Sequence, residues 1–264
     1  RGGYRTFVPQ LLRSAFWVYL AGLGNMLFPT PSLLLVNAGF GTGAVPPYLA
    51  NYKVPELVYT LINAASFVAS AKIMRRLHHA APQEKADGLA SFTYLHKIQI
   101  MIGLAGAAFY FVINDSFVRW WLGPDFHVSL AIQAAFAANL VFAAAGDSVL
   151  RLVSLQSQTD LAFYARTAVV AGGINLGLGF VAIRVGVMEG VALATVVAQF
   201  TLGVVNVGRL CRIHGWAAGP IYWRTVILPS LAVGTMILIK TAWPSPDLAG
   251  QMVQAMGLAL VVLG

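Results

Sequence analysis

The sequence predicts an all-α, polytopic membrane protein: a bundle of about eight transmembrane helices. Three observations carry that expectation. Of the 264 residues, 58% are hydrophobic and only 10% are charged, whereas a soluble domain keeps about 25% charged to wet its surface. Mean hydropathy is +0.75, and apolar stretches of about 20 residues, enough to cross the hydrocarbon core, recur along nearly the whole chain. No stretch keeps the apolar/polar alternation of a transmembrane β-strand, so the spans are helices.

Taken in order, the spans fall at roughly 14–37, 48–72, 91–113, 128–150, 161–183, 187–208, 222–242 and 249–264. The second opens on the polar run PPYLANYKVPELVY, and Pro55 inside it predicts a kink, because proline gives up a backbone hydrogen bond and clashes with the preceding turn. The third follows the basic connection KIMRRLHHAAPQEK, with Pro82 ahead of it. Between the third and fourth lies VRWWLGPDFHVS. There Trp120 and Trp121 read as anchors at the lipid headgroups, Gly123-Pro124 forces a turn, and Asp125 is expected to cap the fourth helix. In the fifth, the glycines of GGINLGLG (172–179), the Gly173/Gly177 pair included, read as permitting close helix packing. The chain begins at Arg1 and stops inside the apolar run GLALVVLG, so it is expected to be part of a longer membrane protein.

Charge is distributed as membrane topology requires. The net charge is +8, yet the basic residues sit in short clusters between spans and form no patch for nucleic acid. Thirteen of the 17 Lys and Arg fall in 1–13, 72–97, 151–166 and 209–224, while Lys53, Arg119, Arg184 and Lys240 occupy the alternate connections. The positive-inside rule then puts the amino end of this stretch in the cytoplasm. A lone Cys211 excludes an internal disulfide. His78-His79 has no third ligand nearby in sequence, and no metal is expected there. No GxxxxGK[ST] loop is present, no catalytic constellation is visible, and no cofactor is expected.

The wording of several stretches adds a resemblance. WWLGPDF, then SLQSQTDLAFYARTAVVAGGINLGLGFVAI, then GVMEGVALATVVAQF resemble, in order and spacing, helices nine to twelve of O-antigen/polysaccharide flippases in the multidrug/oligosaccharidyl-lipid/polysaccharide exporter superfamily. The resemblance implies that residues 1–264 are the carboxy-terminal membrane lobe, with helices seven to twelve at about 14–208 and two further helices at about 222–264. It implies a bacterial inner-membrane transporter, not an enzyme, that flips an undecaprenyl-diphosphate-linked oligosaccharide by alternating access for surface polysaccharide such as lipopolysaccharide. Its partners would be that lipid-linked oligosaccharide, membrane lipids and other polysaccharide assembly proteins.

A diphosphate carrier needs cations facing a wet cavity, and ionisable residues inside spans are functional candidates by default. Lys53, Arg151 and Arg166 are the candidate cavity cations. Tyr52, Glu56 and Asp147 are candidates for the polar cavity wall or gate. Against these stands a plainer reading, in which Lys53 snorkels and pairs with Glu56, and Asp147 and Arg151, four residues apart, form a solvated pair at a helix end. Asn63, Gln99, Gln133, Asn139, Asn175 and Gln199 read as interhelical glue. Two alternatives stand beside this expectation. A drug exporter of the same superfamily, driven by H⁺ or Na⁺, calls for a carboxylate deep in the bundle, whereas Glu56, Asp147, Asp160 and Glu189 all read as lying near helix ends. A polysaccharide polymerase or other membrane enzyme calls for a large outer loop, and the connections here are short.

Overall fold

A computed structural model describes residues 3–78 and 82–242, and it is an all-α bundle. Eight helices follow one another among the described residues: α1 (Gly3–Met26), α2 (Pro29–Phe40), α3 (Val45–His78), α4 (Pro82–Leu122), α5 (Leu130–Gln156), α6 (Gln158–Val185), α7 (Met188–His214) and α8 (Ala218–Ala242). Six of them, α3 to α8, are long and apolar enough to cross a membrane. Their outward faces are apolar too, with Leu61, Phe67, Val68, Val170 and Leu238 each more than half exposed. Such faces suit lipid and not water, and the chain is a multi-pass membrane protein.

The boundaries depart from the sequence reading in three instructive places. The first apolar stretch is two helices, since Pro29 and Pro31 lack the N–H groups that would carry α1 onward. The basic connection after residue 72 is almost wholly helical: α3 runs on to His78 and α4 restarts at Pro82, where a missing N–H costs nothing. At 41 residues, α4 is about 60 Å long, twice the hydrocarbon thickness, so it projects beyond the bilayer. Finally, Asp125 is not the cap of α5. It sits in a 3₁₀ turn (Pro124–Phe126) that Gly123 enters at φ 103, and the cap is Ser129, whose Oγ accepts from Ile132 N at 3.3 Å. The next start repeats the device, with Ser157 Oγ accepting from Asp160 N at 3.1 Å. The 249–264 span lies outside the described residues, and so does His79, while the backbone of His78 ends α3.

α5 is the axis of the bundle. Of its most apolar window, 83% is buried, against 28% for α3 and 22% for α8. It packs against α3, α4, α6, α7 and α8. Its sequence suits that place, because Ala135, Ala137, Ala144 and Ala145 let neighbours approach closely, which is how helices associate in lipid. A central helix is also where a polar residue must find partners, and the site is built along one stripe of it.

Candidate functional site

A cavity of about 510 Å³ opens beside α5. From α5 it takes Asn139, Ala143, Asp147, Leu150, Arg151 and Ser154, a single helical stripe about 22 Å long. From α3 it takes Tyr52, Pro55, Glu56, Tyr59, Thr60 and Asn63, again one face. Asn25, Tyr164, Thr195 and Gln199 close the far side.

Its charged centre is Asp147 with Arg151. Arg151 Nε donates to Asp147 Oδ2 at 3.0 Å, and one turn of α5 makes the pair possible. Four neutral side chains from two neighbouring helices also donate to that carboxylate. Ser66 and Gln99 (3.0 Å) reach Oδ2, while Asn63 (3.2 Å) and the Tyr59 hydroxyl (3.5 Å) reach Oδ1. Arg151 is fixed in turn by Ser66 Oγ (3.1 Å), by the Asn63 carbonyl (Nη2, 3.2 Å) and by the Phe67 ring under its guanidinium. The guanidinium is thus held along one edge while lining the cavity with the rest. Arginine's fork can grip two phosphate oxygens in such a setting, and lysine cannot.

This geometry corrects the expectation that the acidic residues lie near helix ends. Asp147 is buried inside the bundle, because α5 continues two further turns to Gln156 and is covered on every side. Asp160 is buried as well, though it does sit in the first turn of α6, where Arg209 of α7 holds it at 2.5 Å.

The other candidates scatter. Lys53 is not among the residues lining the cavity; it pairs with Glu56 at 2.5 Å while remaining 59% exposed. Glu56 and Tyr52 do line the cavity, and Tyr52 rests edge-on against Phe136. Arg166 lies over the Trp17 ring, on the exposed side of α6. Trp120 and Trp121 are exposed at the end of α4, as headgroup-level rings would be. Trp120 also borders a second, apolar cavity of about 640 Å³ that Phe109, Ile113 and Phe117 line.

Residues that sequence reasoning passed over include Ser66, Tyr59 and His96. His96 is buried and bridges α4, α5 and α8. The Thr225 hydroxyl donates to Ile221 O, so His96 Nε2 donates to Thr225 (3.1 Å) and Nδ1 accepts from Ser148 (3.0 Å), next to Asp147. Thr225 lies in a π-helical turn, Trp223–Ile227, that this bridge pins in place. Comparison with protein-family models, with curated proteins and with solved structures finds no match.

Proposed function

We propose that the chain is the carboxy-terminal lobe of a secondary transporter that carries an anionic, diphosphate-linked lipid across the bacterial inner membrane, its amino end cytoplasmic. The observation that carries this reading is Arg151: a guanidinium inside the bundle, oriented by four groups, with its free edge on a cavity of about 510 Å³. Asp147 offsets the charge of Arg151, yet Arg151 still lines the cavity, and phosphate is the anion that a planar fork suits best. The neutral polar residues on the rest of the wall, Asn25 and Gln199 on the far side and Asn139 farther along α5, suit the hydroxyls of a sugar. Together with the resemblance in sequence, this favours a lipid-linked oligosaccharide and a carrier over an enzyme.

The test is binding of undecaprenyl diphosphate to the purified full-length protein. Arg151→Gln is expected to weaken it by about tenfold or more, some 1.4 kcal/mol, and Arg151→Lys by less. Equal affinity in the Gln variant overturns the reading.

One observation favours a second reading. Asp147 is a buried carboxylate on the wall of the cavity, as an H⁺- or Na⁺-driven exporter requires. In such an exporter Asp147→Asn abolishes ion-driven efflux of organic cations, whereas a diphosphate carrier shows no such efflux in the first place.

A further inference from the structure

α1 and α2 are one span interrupted at Leu27–Phe28, and the interruption is written in the sequence. In a continuous helix the carbonyls of Asn25 and Leu27 accept the N–H groups of residues 29 and 31, but both of those residues are proline. The chain tightens instead: Leu27 N reaches Gly24 O at 3.1 Å and Phe28 N reaches Asn25 O at 3.3 Å. An unpaired carbonyl is costly where no water can reach it. Asn175 of α6, itself buried, answers it. Its Nδ2 donates to Leu27 O at 2.9 Å and Phe28 O at 3.1 Å, and its Oδ1 accepts from Thr195 of α7 at 3.1 Å.

The two arms of the break are held differently. α2 is packed against α6 and α7 and also touches α3. Among the described residues α1 lies along α6, with a slight contact with α2, and these residues leave Leu12, Phe16, Tyr19 and Met26 on its other face exposed. Near the break α1 is tight: a Cβ on Gly24 would stand 2.7 Å from the Ala168 backbone. At the far end the hydrogen-bond grip among the described residues is one side chain, Gln158, reaching Gln10 O and Ser14 Oγ at 3.3 Å each. A close pivot therefore carries a loosely held tip. The arm also presents Asn25 to the cavity, hydrogen-bonded to Tyr164, and α1 makes no extended contact with α3 across the cavity.

We propose that Leu27–Phe28 is a hinge on which α1 swings, opening and closing the side of the cavity between α1 and α3, with Asn175 as the clasp that keeps the broken backbone satisfied. The purpose of the motion rests on the transport reading; the motion itself does not.

The experiment is pulsed electron paramagnetic resonance on the full-length protein in lipid nanodiscs with Cys211→Ala. Spin labels go on Leu12→Cys in α1 and Val68→Cys in α3, both lipid-facing positions. Val170→Cys in α6 with Val197→Cys in α7 is the control pair on two closely packed helices. Residue 12 lies about 22 Å from the pivot, so a swing of about 20°, the size of an ordinary kink, moves it by about 8 Å. The α1–α3 distances are expected to spread by about that much beyond the control. Pro31→Ala returns an N–H to Leu27 O and is expected to narrow them to one population. An α1–α3 distribution as narrow as the control overturns the hinge, and so does a broad one that Pro31→Ala leaves unchanged, provided the variant holds its thermal stability. If it does not, the comparison with the control pair decides alone. A protein that passes here and fails to bind undecaprenyl diphosphate keeps the hinge and loses the carrier reading.

Discussion

Two ion pairs within helices of this bundle have opposite surroundings. Lys53 and Glu56 are three residues apart on α3, and Asp147 and Arg151 are four apart on α5. By spacing alone both pairs share a helical face and both invite the same two interpretations, cavity or interface. In the structure the side chains of the first pair are 59% and 36% exposed, while those of the second are 18% and 5% exposed and sit among Ser66, Asn63 and Gln99. Spacing says which residues share a face; it does not say which way the face points. What points it is the burial of the whole helix, and α5 is central where α3 is peripheral.

The largest effect expected from that difference follows removal of one buried partner. Arg151→Gln leaves Asp147 charged, enclosed and without its cation, a change that costs about 3–5 kcal/mol in buried pairs. The four neutral donors that remain on the carboxylate hold the expected loss to about 3 kcal/mol. Reversible unfolding in mixed micelles measures it. Adding Asp147→Asn to Arg151→Gln removes both charges and is expected to restore most of the loss, since an uncharged pair leaves only hydrogen bonds to satisfy. A double variant no more stable than Arg151→Gln alone would mean that the pair is not the source of the penalty.

The same boundary separates what was legible in the sequence from what was not. Class and the approximate positions of the spans between 48 and 242 follow from hydropathy, because lipid forces every backbone group into helical pairing and leaves the pattern little freedom, whereas the first stretch, read as one span, is two helices. Side-chain partnership across helices does not follow. Asn63, Gln99 and Asn175 were recognisable as polar residues in spans, yet nothing in their spacing says that the first two converge on Asp147 or that the third caps a broken backbone 148 residues away. Ser66 and Tyr59 carry no hydropathy signal strong enough to mark them. The break itself was readable, since Pro29 and Pro31 stand two apart inside an apolar run; a 20-residue window averages such a break away.

An uncharged counterpart of the comparison gives the next largest effect. Gly172 and Gly173 are adjacent in GGINLGLG, all of whose glycines, the Gly173/Gly177 pair included, read from the sequence as permitting close packing. A Cβ added at Gly172 would stand 2.5 Å from the Leu27 side chain, whereas at Gly173 or Gly177 it would meet none of the described residues within 4 Å. Gly172→Ala is therefore expected to cost about 1–3 kcal/mol as overpacking beside the proposed pivot. Gly173→Ala is expected to be neutral or slightly stabilising, through the better helix propensity of alanine. Unfolding midpoints of the two variants check this directly, and equal midpoints would mean that α1 and α6 do not approach as closely as the structure places them.

The smallest effect belongs to the exposed pair and completes the contrast. Lys53→Gln removes a cation whose partner Glu56 remains hydrated on one side, and exposed pairs contribute about 0–1 kcal/mol once side-chain entropy and screening are counted. Unfolding free energy is expected to change by less than about 1 kcal/mol, roughly a third of the Arg151→Gln loss. Undecaprenyl diphosphate binding is expected to stay within about twofold, because Lys53 does not line the cavity while Arg151 does. The one neighbour with a stake in the change is Glu56, which does line it. Freed of Lys53, its carboxylate adds repulsion toward an incoming anion, so whatever change occurs should be a weakening, and one that raised salt reduces. A loss of binding in Lys53→Gln as deep as in Arg151→Gln would put Lys53 in the cavity after all, on a side chain that turns inward when substrate arrives.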